Sequence, residues 1–456
     1  MQKVALFLPA SIKSHVFPLF SFCDVLSEEF DVYFSVSNEV LKSIVASHGY
    51  KALLTTDYRV GVGMEDSFVA STLGKSGWWS TLKCVLGDKV LKHRQKELSE
   101  VISKISPTLI FIDIFNSTDL LVLNSLGVQA QYILINPMLS TLRTPGFPNV
   151  DQDFYPKTVP AGAGKDTRFV NLIKAMVVQP KSLILRLARE YRFKHILRHN
   201  EFSTRHPISK DCTKALIFNN FREFILAPLE LEISPSIRRE HQVYLGLSVN
   251  DQRQSPEEDE LFSSVFRNIV QGLNGRKLIY CSFGTFYEGS DRALFDFLEK
   301  LISALERIDD VVVIFSVNQL VIDTIVHNMT IKKPFYFFKS VAQLEVLKVA
   351  NLFVTHGGLG SVKESIFCGT PMLVYPLDMR YDQNGNAFKV VHHGIGLKGE
   401  FRHERASDIY DKINRLLGNG VYKKNIDEMS KKLRATYSPK EIKKLLKKYI
   451  DESECL

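Results

Sequence analysis

The sequence has few features that would tie a chain to an oxidising compartment, a membrane or a metal. Its six cysteines are scattered over 456 residues with no C-x-x-C pair, which predicts neither a disulfide framework nor a zinc site. No apolar run approaches the ~20 residues that a membrane span needs. The first apolar stretch, residues 4–9, is short and leads straight into a loop, so it is typical of a strand rather than a signal peptide. We therefore expect a cytoplasmic protein.

Two common nucleotide-binding patterns are missing as well. A dinucleotide-binding fold would carry G-x-G-x-x-G after its first strand, whereas residues 10–20 read ASIKSHVFPLF. No Gly-Lys-Ser/Thr follows the glycines near residue 358, which argues against a P-loop. No basic run is interleaved with aromatic residues, so we expect no nucleic-acid partner.

Length and composition indicate a globular protein with more than one core. A chain of 456 residues exceeds a single core, so two domains are expected. Its 45% apolar and 24% charged residues are ordinary for such a protein. The net charge of +8 fits an anionic ligand or an acidic membrane surface, and it fits solvated lysine-rich faces equally well.

Short β-rich runs alternate with helical patterns in both halves of the chain. This alternation predicts two α/β units, each with a parallel sheet that helices cover on both faces. The predicted strands are residues 4–9, 31–36, 108–113 and 131–136 in the first half, and 277–284, 310–317, 334–338, 351–355 and 371–376 in the second.

A polar, charged segment marks the domain boundary. We predict an N-terminal domain at 1–246, a linker at 247–256, a C-terminal domain at 257–437 and a final helix at 438–456 that opens with Ser-Pro. The alternation of strands and helices stops before the linker, from about residue 140 to 210. Residues 144–164 resemble a loop and residues 172–202 resemble helices rich in arginine and lysine, which either hold a variable substrate or form a solvated basic face.

The stretch THGGLGSVKE, residues 355–364, is the strongest candidate for a binding loop. Ligands bind where parallel strands end, glycines let the backbone approach them closely, and the first N–H groups of the next helix suit a phosphate. His356 and Ser361 can add hydrogen bonds. Glu364 either closes a capping box with Ser361, which needs no ligand, or accepts bonds from two ribose hydroxyls.

The residues around this loop resemble the donor-binding signature of the UDP-glycosyltransferase family. The shared elements are Q-L-E-V-L from Gln343, H-G-G-x-G-S-x-x-E from His356, a following G-x-P, and D-Q-x-x-N-A from Asp382. The resemblance implies two facing Rossmann-like domains, the GT-B fold, with the last helix returning to the N-terminal domain. It also implies a nucleotide-sugar donor in the C-terminal domain and a small-molecule acceptor in the N-terminal domain.

The resemblance assigns donor-binding roles to individual residues. Those implied at the diphosphate, nucleoside, ribose and transferred sugar are Gln343, His356, Gly358, Gly360, Ser361, Glu364, Asp382 and Gln383, and a second donor element, CSFGT, adds Ser282, Gly284 and Thr285. Gln383, rather than histidine, ends the sugar-binding pair, which favours glucose. Ser340 stands where the family often has a tryptophan over the uracil, so UDP and dTDP both stay open.

The catalytic pair is expected in the N-terminal domain. His15 lies in an H-x-x-P context with Pro18, and Asp113 ends a predicted strand. The resemblance implies that His15 is the base and that Asp113 orients it. Imidazole titrates near neutral pH, and a carboxylate on its far nitrogen fixes the tautomer. Direct displacement at the anomeric carbon would then invert the stereochemistry.

We expect no metal and no cofactor besides the UDP-sugar co-substrate, because the helix N-terminus, His356 and hydroxyl donors can neutralise the leaving diphosphate. Two alternatives stay open. One is a non-hydrolysing nucleotide-sugar epimerase or a phosphorylase-like GT-B enzyme, and the other is a non-catalytic protein that binds sugar-nucleotides or lipids. The basic helices at 172–202 allow peripheral contact with a membrane that carries a lipid acceptor.

Overall fold

The computed structural model describes residues 3–155, 180–212, 214–250, 262–284 and 292–451. In these residues the N-terminal half forms one parallel sheet in the order β3-β2-β1-β4-β5-β6-β7. Its strands are β1 (Lys3–Leu8), β2 (Phe30–Val36), β3 (Lys51–Leu54), β4 (Leu109–Asp113), β5 (Gln131–Asn136), β6 (Arg222–Ile225) and β7 (Gln242–Tyr244).

The C-terminal half forms a second parallel sheet in the order β10-β9-β8-β11-β12-β13. Its described strands are β8 (Lys277–Ser282), β9 (Val311–Ser316), β10 (Phe335–Phe338), β11 (Leu352–Thr355), β12 (Met372–Val374) and β13 (Gly396–Lys398). The central strands β4 and β11 are buried along their whole length, because helices cover both faces of each sheet. The two α/β units predicted from periodicity are therefore present.

Helices connect the strands and cover the sheets. Those of the N-terminal half are α1 (Lys13–Leu26), α2 (Glu39–Ser47), α3 (Glu65–Leu73), α4 (Trp78–Leu86), α5 (Lys89–Ile105), α6 (Asp119–Ser125), α7 (Pro180–Arg198) and α8 (Glu201–Arg205), with short 3-10 helices at Ile114–Asn116, Leu229–Leu231 and Pro235–Ile237. Those of the C-terminal half are α9 (Phe262–Gln271), α10 (Arg292–Glu306), α11 (Gln319–Asn328), α12 (Gln343–Val349), α13 (Leu359–Cys368), α14 (Gln383–His392), α15 (Ala406–Gly418), α16 (Gly420–Thr436) and α17 (Pro439–Asp451).

Each of the nine predicted strands overlaps an observed one, and the ends differ by one or two residues. Strands β3, β6 and β13, which have only three or four residues each and little apolar periodicity, were not predicted, and β7 lies in a strand-like run, residues 242–245, just before the predicted linker. Of the basic stretch 172–202, residues 180–198 form α7, and the part before residue 180 lies outside the described residues. The predicted linker at 247–256 also lies partly outside them, so that boundary stays a prediction.

Apolar packing joins the halves of the molecule in a shared cluster and through the final helix. One apolar cluster contains Val150 and Tyr244 from the N-terminal half together with Tyr280 and Ile366 from the C-terminal half. The final helix α17 returns to the N-terminal sheet, where Ile442 and Leu446 pack into its core. Within the described residues, no helix combines the length and apolarity needed to span a membrane.

Candidate active site

The order of the strands brings His15 and Asp113 together although 98 positions separate them in the chain. Strand β4 lies beside β1 in parallel, with Leu8 opposite Ile112. Asp113 is the last residue of β4, and His15 lies in the first turn of α1, which follows β1. Both side chains therefore emerge at the same C-terminal edge of the sheet, as the ends of parallel strands do.

The contact between them is a short hydrogen bond in a buried setting. His15 Nδ1 lies 2.7 Å from Asp113 Oδ2, and the two residues are 8% and 2% exposed. The other carboxylate oxygen of Asp113 accepts a bond from the Phe115 N–H at 2.9 Å, which holds the carboxylate in place. An ionised carboxylate only accepts, so Nδ1 carries the proton and Nε2 is left as the basic nitrogen.

Two neighbours of this pair were not predicted. The Phe115 ring lies 5.3 Å from the His15 ring, and the Asn116 amide donates to the Pro9 carbonyl at 2.9 Å. Asn116 thus fixes the loop that leads into α1 and so the position of His15. The only sequence signal for this role of Asn116 is its position three residues after Asp113, and such a spacing is too common to be decisive.

The binding loop at 355–364 leads into α13, but the helix begins earlier than the capping-box alternative requires. Gly358 is the N-cap and Leu359 is the first helical residue. Ser361 is consequently inside the first turn, where its hydroxyl cannot cap the helix, and it makes no hydrogen bond to the described part of the chain. The capping box of Ser361 and Glu364 is therefore absent.

Glu364 instead belongs to a hydrogen-bonded chain that links three elements. Gln343 Nε2 donates to Glu364 Oε2 at 2.6 Å, and the Tyr280 hydroxyl donates to Gln343 Oε1 at 3.1 Å. Burial raises the pKa of Tyr280 far above its ordinary value, so its hydroxyl remains a donor. Tyr280 was not predicted, although it lies two residues before Ser282 and therefore on the same face of β8.

His356 lies in the same loop as a buried, neutral ring. Burial lowers its pKa to about 4, so the imidazole is uncharged at neutral pH. Its Nδ1 is buried and has no hydrogen-bond partner among the described residues. The ring fills the space where side chains of Gly284 and Gly358 would lie, since added Cβ atoms would be 2.8 Å from Cε1 and 2.7 Å from Nε2, respectively. By contrast, a Cβ on Gly360 would meet nothing within 4 Å.

The residues predicted to bind the sugar lie at the start of α14. Asp382 is the N-cap, and Asn386 joins it to the binding loop by donating to Asp382 Oδ2 at 3.0 Å and to the Gly357 carbonyl at 2.9 Å. The side-chain oxygen Oε1 of Gln383 accepts hydrogen bonds from the Leu377 and Asp378 N–H groups, which leaves the side-chain NH₂ group for a ligand. Asn386 was not assigned a role, although it is one helical turn from Asp382.

His15 of the N-terminal half lies near Asp382, one of the residues predicted to bind the sugar. Burial raises the pKa of Asp382, and the charges of His15 and Lys389 act in the opposite direction. His15 is thus close enough to Asp382 for its charge to act on the pKa of that carboxyl group. Ser282 ends β8 beside Thr355 of β11, next to the binding loop. Thr285, the last residue of the second donor element, lies outside the described residues.

No group of residues that could hold a metal ion is found in the described ranges. Asp151 and Asp153 have a D-x-D spacing, but each carboxylate forms an ion pair with a lysine. Their partners are Lys214 and Lys398. The Asp153–Lys398 pair joins the two halves of the molecule, whereas both partners of the Asp151–Lys214 pair lie in the N-terminal half.

Comparison with solved structures identifies the fold. The chain is similar over 98% of its length to a structure titled as the glycotransferase of kitacinnamycin, with a TM-score of 0.66 and 16% identity, and 99% of that chain is covered. It is similar over 98% of its length to Os79 from O. sativa in complex with UDP, with a TM-score of 0.60 and 14% identity, and all of that chain is covered. The fold is therefore that of the GT-B glycosyltransferases, as predicted.

The C-terminal half carries the sequence relationship. Residues 258–435 match the family model described as UDP-glucoronosyl and UDP-glucosyl transferase. The chain is 24% identical over 173 residues to the uncharacterized UDP-glucosyltransferase YdhE of Bacillus subtilis, a segment that covers 38% of this chain and 42% of that protein. It is 37% identical over 79 residues to a zeaxanthin glucosyltransferase of Pseudescherichia vulneris, covering 17% of this chain and 18% of that protein. The family match thus covers the C-terminal half of the chain, and the chain matches less than half the length of these relatives.

Proposed function

We propose that this protein transfers a hexose, with glucose favoured, from a UDP-sugar to a hydroxyl group of a small lipophilic or aromatic acceptor, with inversion and without a metal. The observation that carries the proposal is the buried His15–Asp113 hydrogen bond, which leaves a basic nitrogen at the edge of the sheet, near Asp382 of the other domain.

The mechanism assigns the proton to His15. Its Nε2 accepts the proton of the acceptor hydroxyl while the hydroxyl oxygen attacks the anomeric carbon, and the bond from that carbon to the diphosphate oxygen breaks. The negative charge of Asp113 stabilises the imidazolium that forms. A single displacement of this kind inverts the configuration at the anomeric carbon.

The leaving diphosphate would be stabilised by groups of the binding loop. The first N–H groups of α13 have no partner within the helix and carry the positive end of its dipole. His356 is neutral and would contribute a hydrogen bond rather than a charge. The Ser361 hydroxyl is available in the same turn. These donors support a metal-independent reaction.

The donor is assigned from the residues near the loop and from the relatives. The Gln343–Glu364 pair offers a ribose-binding carboxylate, and Asp382 with Gln383 offers acceptors and a donor for sugar hydroxyls. The names of the relatives given above include UDP-glucosyltransferase and zeaxanthin glucosyltransferase, which supports glucose. We favour UDP over dTDP on the family match alone.

The proposal is tested by turnover with a panel of UDP- and dTDP-sugars and lipophilic alcohols, with products identified by mass spectrometry. We expect His15→Ala to lower kcat by roughly 10²–10⁴-fold, since this is the usual contribution of a general base. Asp113→Asn should lower kcat in the same range, because an amide at this position can hold the wrong tautomer. Affinity for UDP, measured by calorimetry, should stay within about twofold in both variants.

A matched control is His327→Ala, which removes an exposed histidine of α11. Wild-type turnover in the His15→Ala variant would disprove the assignment of the base. Conversion of a UDP-sugar without any acceptor would instead indicate an epimerase. Binding of UDP with no turnover on any acceptor would favour a non-catalytic binding protein.

A further inference from the structure

Helices α4 and α7 expose a concentration of large apolar side chains. Trp79 and Leu86 of α4 are 69% and 54% exposed, and Ile184, Leu187 and Tyr191 of α7 are 46%, 47% and 65% exposed. The three residues of α7 are spaced three and four apart, so they form one stripe on the helix surface. Isolated exposed apolar residues are ordinary, but a contiguous group of this kind marks an interaction surface.

The two helices form one continuous surface because their inner faces are joined along their length. The Trp78 indole N–H donates to the Lys181 carbonyl at 2.9 Å, where both helices begin. Arg192 pairs with Asp88 just beyond the end of α4. We call the exposed side the outer α4–α7 face, and its residues are Trp79, Lys83, Leu86, Lys181, Ile184, Leu187, Tyr191, Lys194 and Arg198.

The charges on this face are mostly positive. Four of its residues are lysine or arginine, and the neighbouring exposed acid Glu190 is paired with one of them, Lys194, at 2.7 Å. The nearby Asp66 is paired with Arg189 at 2.6 Å. A positive face repels a second copy of itself, which disfavours a dimer formed through it.

The combination of residues fits an anionic bilayer best. Tryptophan and tyrosine prefer the boundary between lipid headgroups and acyl chains, and leucine and isoleucine can enter below it. Lysine and arginine extend their charged ends to lipid phosphates. The apolar stripe of α7 offers no hydrogen bonds to the base edges of a nucleic acid.

This face is connected to the acceptor side of the candidate active site by three contacts. On the inner side of α7, the Phe193 ring lies where a side chain of Gly61 would be. Two residues earlier, Arg59 Nη1 donates to the Phe115 carbonyl at 3.2 Å. Phe115 is the residue whose ring lies beside His15.

We propose that the outer α4–α7 face docks the N-terminal domain on an anionic lipid bilayer and that the acceptor reaches His15 from the membrane. The docking stands on the exposed residues alone. The membrane origin of the acceptor rests on the proposed glycosyltransferase function.

The docking is tested by co-sedimentation of the full chain with vesicles. We expect binding to vesicles of phosphatidylcholine with phosphatidylserine, little binding to phosphatidylcholine alone, and weakening with added salt. The double variants Lys181→Glu/Arg198→Glu and Trp79→Ala/Leu187→Ser should each weaken binding about tenfold or more. The control Val421→Ser/Lys432→Glu removes an exposed apolar residue and an exposed lysine from α16, and it should bind as the wild type does.

Circular dichroism and UDP affinity show whether each variant is folded, so a loss of binding cannot be mistaken for unfolding. Binding that is absent, or equal in wild type and both face variants, overturns the proposal. Self-association lost in the Trp79→Ala/Leu187→Ser variant, without vesicle binding, would also overturn it in favour of a dimer. Because no sugar donor is present in this assay, vesicle binding would persist if only the proposed transferase activity failed. Slower sugar transfer to vesicle-embedded acceptors than to dispersed ones would contradict the proposal that the acceptor comes from the membrane.

Discussion

At the scale of single residues, the glycines around His356 differ in the space that a side chain would find. Gly284 and Gly358 leave space for the His356 ring, whereas Gly360 faces open space at the start of α13. His356 is buried and uncharged, so its ring is held by packing rather than by an ion pair. The absence of side chains at Gly284 and Gly358 therefore leaves room for the His356 imidazole.

The different surroundings of Gly358 and Gly360 predict opposite effects on stability when each is replaced by alanine. Gly358 has φ −58°, which alanine adopts without strain, so Gly358→Ala tests only the contact of a Cβ with the His356 ring. We expect it to reduce the free energy of unfolding by about 1–3 kcal/mol, the usual cost of overpacking. Gly360→Ala should be neutral or stabilise by up to about 1 kcal/mol, because alanine favours a helix.

Urea unfolding of both variants and the wild type provides the measurement. Equal destabilisation by the two substitutions would show that His356 does not limit the space at Gly358.

At the scale of secondary-structure elements, the start of α14 is held by a loop of the N-terminal half. A Cβ on Gly385 would lie 2.0 Å from the Val150 carbonyl oxygen, so the loop passes directly over the helix. Asn384 Nδ2 donates to the Asp151 carbonyl at 3.3 Å. Lys214 donates to the Asp151 carboxylate at 2.5 Å and to the Arg380 carbonyl at 2.7 Å. The turn that carries Asp382 and Gln383 thus depends on both halves of the molecule.

We expect Gly385→Ala to disturb the sugar site without disturbing the nucleotide site. The added methyl group would push the loop at Val150 away from the turn that carries Asp382 and Gln383, whereas the N-terminus of α13 would keep its place. Calorimetry should show UDP-glucose binding weakened by roughly tenfold, a cost of about 1.4 kcal/mol, with UDP binding unchanged. The control is Gly418→Ala, where a Cβ meets nothing within 4 Å. Equal loss of UDP and UDP-glucose affinity would contradict this division.

At the scale of the whole molecule, buried polar contacts join the two halves behind the cleft. Lys363 of α13 is 2% exposed and donates to the Leu226 carbonyl, next to β6, at 2.5 Å. Lys389 of α14 lies 4.0 Å from Glu232, and both side chains are almost fully buried. Helix α13 is therefore attached directly to the N-terminal sheet, in which Asp113 ends β4.

The Lys363 contact should make stability depend on pH. Burial lowers the pKa of Lys363 to about 7, against about 10.4 in an unfolded chain. Between these values the unfolded state holds more protons, so the free energy of unfolding rises with pH. Lys363→Met removes this contribution. The free energy of unfolding of the wild type, minus that of Lys363→Met, should therefore increase by about 1.36 kcal/mol per pH unit between pH 7 and pH 10. The total increase is a few kcal/mol.

Urea unfolding of both proteins at each pH from 7 to 10 measures this difference. Lys432→Met, which replaces an exposed lysine of α16, serves as the control and should run parallel to the wild type. Parallel curves for Lys363→Met would mean that Lys363 is not deprotonated in this range.

The sequence by itself determined the two α/β units and marked the loop at 355–364 as the candidate binding loop. Buried parallel strands are continuous apolar runs, which can be recognised without knowing their neighbours. The loop after β11 is recognised by its glycines and by fixed spacing to Gln343 and Asp382. The exact start of α13 was not predicted correctly, because Ser361 and Glu364 have capping-box spacing whether or not the helix begins there.

Only the tertiary structure decided which distant groups meet. The pairing of His15 with Asp113 depends on β1 lying beside β4, a matter of strand order that no local pattern specifies. The same holds for the bond from Tyr280 to Gln343 and for the approach of Val150 to Gly385. Local runs are selected by residues that are neighbours in the chain, whereas these contacts are selected by how two completed sheets and their helices pack together.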